Sequence, residues 1–342
     1  MYNKLVKQVK NANTIALFTH MNPDADGLGS MVVGKRLCQF ANPNAKVDMF
    51  ADYNEKELLG RYRYLFKSNS HNELDPPNFL DKYDLCIAHD CANEKRLGKY
   101  LSIFKSGKVT ANVDHHDNDK FALLNYINTD ASSTCEMMYD IINAQNIEIT
   151  RGMAAILYGG VITDTGDFTH NCTAHTHEMI SNLYNIANPQ RVKEIFNDST
   201  PEGMKLLRAC DMDFYFDNRL VIIKVSQDQI RQSGAKMRDT YGMSDRGAAI
   251  RRVDISMAFV ESEQGLWHCS LRANGDHSIV DLARMNGGGH SSHRVGAFTT
   301  NRHPDEAICN MLPLIEHLFE RQPHYIGKEN PFIDDQPLRT RE

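Results

Sequence analysis

Residues 14–50 read TIALFTHMNPDADGLGSMVVGKRLCQFANPNAKVDMF. Two short apolar-rich runs, Thr14–Phe18 and Val47–Phe50, enclose a longer segment, Leu28–Phe40, in which apolar residues recur at helical spacing. A strand, a helix and a second strand in this order are typical of a parallel sheet covered by helices. This stretch therefore predicts an α/β fold with a mostly parallel sheet flanked by helices.

The same alternation continues through the first half of the chain. Strands are predicted at Leu85–His89 and Val109–Val113, and helices at Ser133–Asn146, Gly152–Ile162 and His175–Ile186. The polar stretch NDSTPEG at 197–203 is the strongest linker signal. We therefore divide the chain into a domain at 1–187, a linker at 188–203 and a second domain at 204–342.

The second domain has a different order of predicted strands and helices. Strands are predicted at Leu220–Val225, Asp254–Val260 and Trp267–Leu271, and helices at Ile279–Met285 and Pro304–Phe319. Their order predicts a smaller α/β domain built on a mixed sheet.

Composition excludes several classes of protein. The 342 residues suffice for about two domains, and the 41% hydrophobic and 24% charged fractions are those of a folded globular chain. The 38 basic and 44 acidic residues give a net charge of −6, so we expect no binding of long duplex nucleic acid. The longest apolar run, Ala154–Ile162, has nine residues, against about 18 to 20 needed to cross a membrane. The eight cysteines are scattered singly, which predicts reduced thiols in a cytoplasmic protein.

Potential ligands for a hard metal ion recur at the ends of the predicted elements. The first group follows the strand Thr14–Phe18, the second and third follow the strands Leu85–His89 and Val109–Val113, and the fourth follows an apolar run before Thr165. These residues are His20, Asp24 and Asp26; Asp90; Asp114, His115 and His116; and Asp164. Each group alone could be a turn or a helix cap. Because open α/β sheets bind ligands where parallel strands end, their convergence favours a metal centre.

The residue types indicate which metal and which chemistry. Carboxylates and imidazoles without a thiolate suit Mn²⁺ or Mg²⁺. Asp24, Asp26, Asp90 and Asp164 together carry a charge of −4, which two divalent cations would cancel. Two metals are expected because there are more ligands than one ion needs. Such a pair clamps a phosphoryl group for in-line displacement, which predicts phosphoester hydrolysis.

These residues resemble those of a known family. The sequence Asp114-His115-His116, with His20-x-x-x-Asp24-x-Asp26, Asp90 and Asp164, resembles the DHH phosphoesterase superfamily over the whole first domain. Downstream, Ser270-Leu271-Arg272 and Gly287-Gly288-Gly289-His290 resemble the DHHA1 type of carboxyl-terminal domain. The arrangement is most similar to the nanoRNase/pAp phosphatase subgroup, which implies an active site in a cleft between the two domains.

The resemblance implies a role for each residue. The first metal would be held by His20, Asp24 and Asp90, and the second by Asp26, Asp90, His115 and Asp164, with Asp90 bridging. Asp114 would steady the strand end and His115. The implied catalytic residues are His116, Asp90 and Arg272. Substrate would contact His116, Arg272, Gly287, Gly288, Gly289 and His290.

Chemistry supports the second-domain assignment independently. Arg272 offers a planar fork of donors, and a run of glycines exposes backbone N–H groups to an anion. The glycines could instead form only a flexible turn after the helix that ends at Met285. The loop also departs from the family pattern, since Asn286 stands before only three glycines and Ser291 follows His290. Substrate preference within the subgroup therefore stays open.

One further stretch resembles the family. Ser132, Ser133 and Thr134 open a predicted helix, with Glu136 in its first turn. We interpret them as a helix cap, with a phosphate contact as the alternative.

Together these observations predict a hydrolase that uses two Mn²⁺ ions, with Mg²⁺ or Co²⁺ as substitutes. Its expected substrates are very short oligoribonucleotides, cleaved to mononucleotides, and/or the 3′-phosphate of adenosine 3′,5′-bisphosphate. The alternatives are a hydrolase of linear dinucleotides of the pApA type, of polyphosphate or of another small phosphoester, and a non-catalytic nucleotide-binding module. We expect no membrane partner, and the sequence leaves a homodimer open.

Overall fold

The computed structural model describes residues 2–53, 74–196, 200–275 and 277–321, except for the side chains at 195–196 and 290–292. The predicted tail after Arg321 and residues 197–199 of the predicted linker lie outside the described residues. Contacts divide the chain into two units, Met1–Asp198 and Ser199–Glu342.

The first unit is built on a five-stranded parallel sheet with the order β2-β1-β3-β4-β5. Its strands are β1 (Thr14–Thr19), β2 (Lys46–Phe50), β3 (Leu85–His89), β4 (Val109–Asp114) and β5 (Leu124–Ile127). Its helices are α1 (Asn3–Asn11), α2 (Ala25–Ala41), α3 (Leu101–Lys105), α4 (Thr134–Ala144), α5 (Arg151–Asp164), α6 (Ala174–Ala187) and α7 (Pro189–Phe196), with a 3₁₀ segment at Glu94–Tyr100. The predicted parallel sheet is confirmed.

The central strands are buried on both faces. Every residue of β3 is buried, and only Thr14 of β1 is partly exposed. Such continuous apolar runs are typical of parallel strands covered by helices. One face packs in a large cluster around Leu17, Leu28 and Ile87, and the other in an aromatic cluster around Phe18 and Phe104.

The second unit carries a mixed six-stranded sheet with the order β10-β11-β9-β8-β7-β6. Its strands are β6 (Asp211–Tyr215), β7 (Leu220–Val225), β8 (Ile255–Glu261), β9 (Trp267–Ala273), β10 (Gly289–Ser292) and β11 (Val295–Thr300). Its helices are α8 (Pro201–Ala209), α9 (Gln227–Ser233), α10 (Met243–Ala248), α11 (Val280–Met285) and α12 (Pro304–Arg321), with a 3₁₀ segment at Met237–Thr240. Strands β7 and β8 are parallel and the other pairs are antiparallel, so the predicted mixed sheet is confirmed.

The predicted linker contains regular structure where it is described. Residues 189–196 and 201–203 lie in α7 and α8. None of the helices in the described parts of the chain combines the length and the apolarity that a membrane span requires.

Candidate metal centre

The ends of three neighbouring strands place the predicted ligands together. Thr19 pairs with His89 across β1 and β3, and His89 pairs with Val113 across β3 and β4. The residues that follow these positions therefore emerge at one edge of the sheet. Ligand atoms within 4.8 Å of one another form three groups: His20, Asp24 and Asp90; Asp26, His115 and Asp164; and Asp90, His115 and His116. We call this cluster the acidic edge.

The first group is arranged around the buried imidazole of His20. Its Nε2 lies 3.6 Å from Asp24 Oδ1 and 3.4 Å from Asp90 Oδ2. Its Nδ1 lies 2.9 Å from the carbonyl oxygen of Met21, which directs Nε2 at the carboxylates. Asp24 also caps α2, since its Oδ1 accepts hydrogen bonds from the backbone N–H groups of Asp26 and Gly27. Asp24 can therefore cap helix α2 and still be a candidate metal ligand.

The second group depends on the start of helix α4. The fully buried Asp26 carboxylate accepts N–H groups from Thr134 and Cys135, both at 2.7 Å. His115 Nε2 lies 3.0 Å from Asp164 Oδ2, at the last residue of α5. The amino terminus of α4 thus holds a candidate ligand in place, which is favourable for a carboxylate near the positive end of a helix dipole.

Asp90 belongs to two of the three groups. It is 2% exposed, and its Oδ1 accepts a hydrogen bond from Thr134 Oγ1 at 3.1 Å. The same oxygen lies 3.4 Å from His116 Nδ1 and 3.7 Å from His115 Nε2.

Asp114 contacts a different histidine from the one that we expected it to steady. Its Oδ1 lies 2.8 Å from His116 Nδ1, and its Oδ2 accepts Asn118 Nδ2 at 2.5 Å. His115 instead directs Nδ1 toward the Ala131 carbonyl oxygen, 3.3 Å away. The reason is geometric, since His115 turns toward α5 and His116 turns back over the strand end.

Charges at the acidic edge shift the pKa of every group in it. Burial, reinforced by Asp90 and Asp164, raises the pKa of Asp26 well above its usual value. Burial opposes the charged forms of the histidines, but the facing carboxylates outweigh it and raise the pKa of His20 and of His115 to about 10 and that of His116 to about 11. Burial also opposes ionisation of Asp90, but His116 and His20 hold its pKa well below its usual value. Three imidazolium groups therefore offset the carboxylates in the metal-free protein.

Two buried atoms indicate that a ligand belongs here. Within the described part of the chain, the enclosed His20 Nε2 and His115 Nε2 make no well-aligned hydrogen bond and instead face carboxylate oxygens, at 3.4 Å from Asp90 and 3.0 Å from Asp164. Buried polar atoms without a well-aligned hydrogen bond are rare because they are costly. Nitrogen and carboxylate donors with no thiolate fit Mn²⁺ or Mg²⁺. The residues present therefore fit the divalent cations that the sequence predicts.

The sequence reasoning found the cap of helix α4 but missed Asn118. Ser133 caps α4 as predicted, with its Oγ accepting the Glu136 N–H at 3.0 Å. The free N–H groups of that helix bind Asp26, so they are not available to a phosphate. Asn118, close behind the two histidines in the same turn, was not singled out.

Arg272 lies on β9, and each of its three guanidinium nitrogens already donates a hydrogen bond. Its Nε donates to Asp245 Oδ1 at 2.6 Å, Nη2 donates to Asp245 Oδ2 at 3.3 Å, and Nη1 donates to the Leu271 carbonyl oxygen at 3.0 Å. Asp245 therefore pairs with the Arg272 guanidinium group, which the sequence analysis assigns to substrate binding. We call this group the Arg272 fork.

Two of the three glycines before His290 have structural reasons, and these reasons differ. Gly287 has φ +71°, a conformation that favours glycine. A Cβ on Gly288 would lie 2.2 Å from the Ala297 carbonyl oxygen, so this position must stay small. Gly289 has nothing within 4 Å of that position. The backbone of His290 lies in β10, and its side chain is outside the described residues.

Comparison with known proteins identifies the family of the first unit. Residues 14–161 match the description "DHH family, N-terminal domain". These residues belong to the DHH family. The match includes every residue of the acidic edge except Asp164, and the family predicted from the sequence is confirmed.

Relatives extend the match beyond the DHH domain. The chain is 27% identical to the Streptococcus mutans protein "Probable bifunctional oligoribonuclease and PAP phosphatase NrnA", over 84% of this chain and 91% of that protein. It is 25% identical to the Bacillus subtilis protein "Bifunctional oligoribonuclease and PAP phosphatase NrnA", over 85% and 91%. The predicted enzyme class is confirmed: the protein is a hydrolase that acts on phosphoester bonds.

A solved structure shares the fold. The exopolyphosphatase-related protein of Bacteroides fragilis superposes with a TM-score of 0.76 at 19% identity, covering 93% of this chain and 95% of that one. At this identity the likeness establishes the fold alone.

Proposed function

We propose that this protein hydrolyses very short oligoribonucleotides to mononucleotides and removes the 3′-phosphate of adenosine 3′,5′-bisphosphate, with two Mn²⁺ ions as cofactors. The observation that carries the proposal is the acidic edge, where six candidate ligands converge and where the buried Nε2 atoms of His20 and His115 lack a well-aligned hydrogen bond to any described residue. The names of relatives that match over most of the chain support the two substrates. Free thiols at all eight cysteines support a cytoplasmic location.

Each candidate ligand has a proposed place. His20, Asp24 and Asp90 would hold one cation, and Asp26, Asp90, His115 and Asp164 the other, with Mg²⁺ or Co²⁺ as substitutes. When bound, such a pair supplies positive charge for a phosphoryl group and activates water at neutral pH.

The chain's own residues would orient the substrate and manage protons. His116 keeps Nδ1 against Asp114, so the donor that remains for a substrate phosphate is Nε2–H. Although burial opposes its charged form, Asp114 and Asp90 raise the pKa of His116 to about 11, and in its charged form His116 can stabilise or protonate a leaving oxygen. Arg272 and the N–H groups of Gly287, Gly288, Gly289 and His290 would hold a second anionic part of the substrate.

Net charge narrows the substrate class. A chain with a net charge of −6 does not attract long polyanions in general. Ligands with a few phosphates need only local donors such as His116 and Arg272. Short oligonucleotides and nucleoside bisphosphates fit this requirement better than long strands.

The test is a substrate panel with the purified full chain, each substrate supplied with Mn²⁺ and with Mg²⁺. The panel contains di- to pentaribonucleotides, adenosine 3′,5′-bisphosphate, the linear dinucleotide pApA, polyphosphate and pyrophosphate. We expect mononucleotides from the short RNAs and inorganic phosphate from the bisphosphate. Turnover of polyphosphate alone would favour the alternative hydrolase, and binding without turnover would favour a non-catalytic module.

An Asp90→Ala variant tests the ligand assignment in the same panel. We expect a loss of roughly 10²- to 10³-fold, because a metal centre contributes several kcal/mol to the transition state. The exposed Asp130 serves as the matched control, as Asp130→Ala. Equal activity in both variants would refute the assignment of Asp90.

A further inference from the structure

Asp90 has an unusual backbone. Its φ is +59°, in the left-handed region that residues other than glycine rarely adopt. Such a conformation persists only where the surroundings impose it. One restraint is visible in the adjacent strand, where the Val113 carbonyl oxygen accepts the Asp90 N–H at 3.0 Å.

A second restraint acts on the next residue. Two carboxamides converge on the Cys91 carbonyl oxygen: Asn112 Nδ2 donates at 3.0 Å and Asn118 Nδ2 at 2.8 Å. Asn112 lies inside β4, and Asn118 lies in the turn that follows His115 and His116. The two donors use both lone pairs of this oxygen and fix the peptide plane that follows Cys91, so they anchor the chain one residue beyond Asp90.

Asn118 joins two ligand-bearing turns. Besides Cys91, its Nδ2 donates to Asp114 Oδ2 at 2.5 Å, and its Oδ1 accepts the Lys120 N–H at 2.7 Å. Asp114 in turn contacts His116 Nδ1 at 2.8 Å. A single side chain therefore links the residue that follows Asp90 to the carboxylate that contacts His116.

Asn112 has a buried side-chain oxygen without a hydrogen bond among the described residues, and the hydrogen bond that its Nδ2 donates explains why this cost is tolerated. The residue is fully buried in β4, and within the described part of the chain its Oδ1 has no hydrogen-bond partner. A leucine of similar size would avoid that cost in a buried strand. The benefit visible in the structure is the hydrogen bond from Nδ2 to Cys91.

We infer that Asn118 and Asn112 are positioning residues that hold Asp90 in the left-handed conformation needed to serve both cation sites. The inference rests on the proposed metal-dependent function. It assigns no ligand role to either asparagine, since both act through the Cys91 carbonyl and, for Asn118, through Asp114.

The test measures Mn²⁺ binding to the full chain by calorimetry. Asn118→Ala and Asn112→Leu should each weaken binding by about 10- to 100-fold, the usual effect of losing a group that orients a ligand. Asn125→Ala is the matched control. Asn125 pairs with Asn112 across β4 and β5, and its Nδ2 donates to the Ala122 and Lys120 carbonyls without reaching Cys91. It should bind Mn²⁺ like the wild type.

Thermal unfolding without metal separates positioning from a structural role. Asn112→Leu removes the unpaired acceptor together with the donor, so its metal-free melting temperature should not fall even though Mn²⁺ binding weakens. Wild-type affinity in both asparagine variants would overturn the inference while leaving the proposed function intact. An affinity loss as large in Asn125→Ala would also overturn it. Failure of the wild type to bind Mn²⁺ or Mg²⁺ would refute the proposed function as well.

Discussion

The acidic edge of the first unit and the Arg272 fork of the second unit were both predicted to bind substrate or cofactor. They differ in how completely neighbouring protein groups pair with their polar atoms. At the acidic edge, two buried imidazole nitrogens face carboxylates without a well-aligned hydrogen bond to any group that the structure describes, and burial together with neighbouring aspartates raises the pKa of Asp26. At the fork, Asp245 and the Leu271 carbonyl already engage all three guanidinium nitrogens. A ligand of the first region would complete it, whereas a ligand of the second must compete with Asp245.

The largest expected effect is the pH dependence of metal binding at the acidic edge. His20 and His115, with pKa values of about 10, are protonated at neutral pH in the metal-free protein. Metal ligation needs neutral imidazole, so each proton released should tighten binding about tenfold per pH unit. The release of two protons should therefore raise the Mn²⁺ affinity by roughly 100-fold for each unit of increase in pH.

Calorimetry of Mn²⁺ binding at pH 6.5 and 7.5, in buffers with different ionisation enthalpies, measures both the affinity and the number of protons released. An affinity independent of pH would show that the imidazolium groups are not displaced. The acidic edge would then not be a site that a cation completes, and it would no longer differ in this respect from the Arg272 fork.

The next effect is stabilisation by the cation. Mn²⁺ at 100 times its dissociation constant should stabilise the folded first unit by about 2.7 kcal/mol. Hydrogen exchange should slow at the ends of β1, β3 and β4, with little change in the second sheet, where the described side chains form no comparable ligand group. A chelator should reverse the effect. Equal protection in both units would contradict a centre confined to the first.

The parallel sheet could be predicted because its strands are buried on both faces and read as continuous apolar runs, as in LCIAH at Leu85–His89. The acidic edge followed from the rule that ligands gather where parallel strands end. Strand β6 escaped notice because its sequence, DMDFY, alternates acidic and apolar residues at a partly exposed edge. The short edge strand β5 (LNYI) gave an equally weak signal.

The partners of individual side chains could not be predicted. Asp26 is held by N–H groups 108 and 109 positions away, and the choice between His115 and His116 as partner of Asp114 depends on rotations that spacing does not encode. The expected repulsion among four aspartates is offset in the metal-free protein by charged histidines. Predicting that balance requires the distances as well as the list of ligands.

A smaller effect is expected at the Arg272 fork. Arg272→Lys keeps the charge but loses the planar donor pair, so KM for adenosine 3′,5′-bisphosphate should rise about tenfold. Asp245→Asn removes the competing charge and should lower KM by a few-fold. Mn²⁺ affinity should not change in either variant. A rise in KM with Asp245→Asn would instead show that Asp245 orients Arg272 for the substrate.

The smallest effect tests whether the glycine loop beside the fork contributes more than its shape. Gly287→Ala should destabilise the second unit by about 1 kcal/mol because φ is +71° there. Gly289→Ala should leave stability within about 0.5 kcal/mol, since a Cβ there meets nothing within 4 Å. If the N–H of Gly289 contacts substrate, the added methyl group should still raise KM a few-fold. Chemical denaturation and KM measurements on both variants therefore separate the two roles, and an unchanged KM in Gly289→Ala would leave Gly289 with a structural role in β10 only.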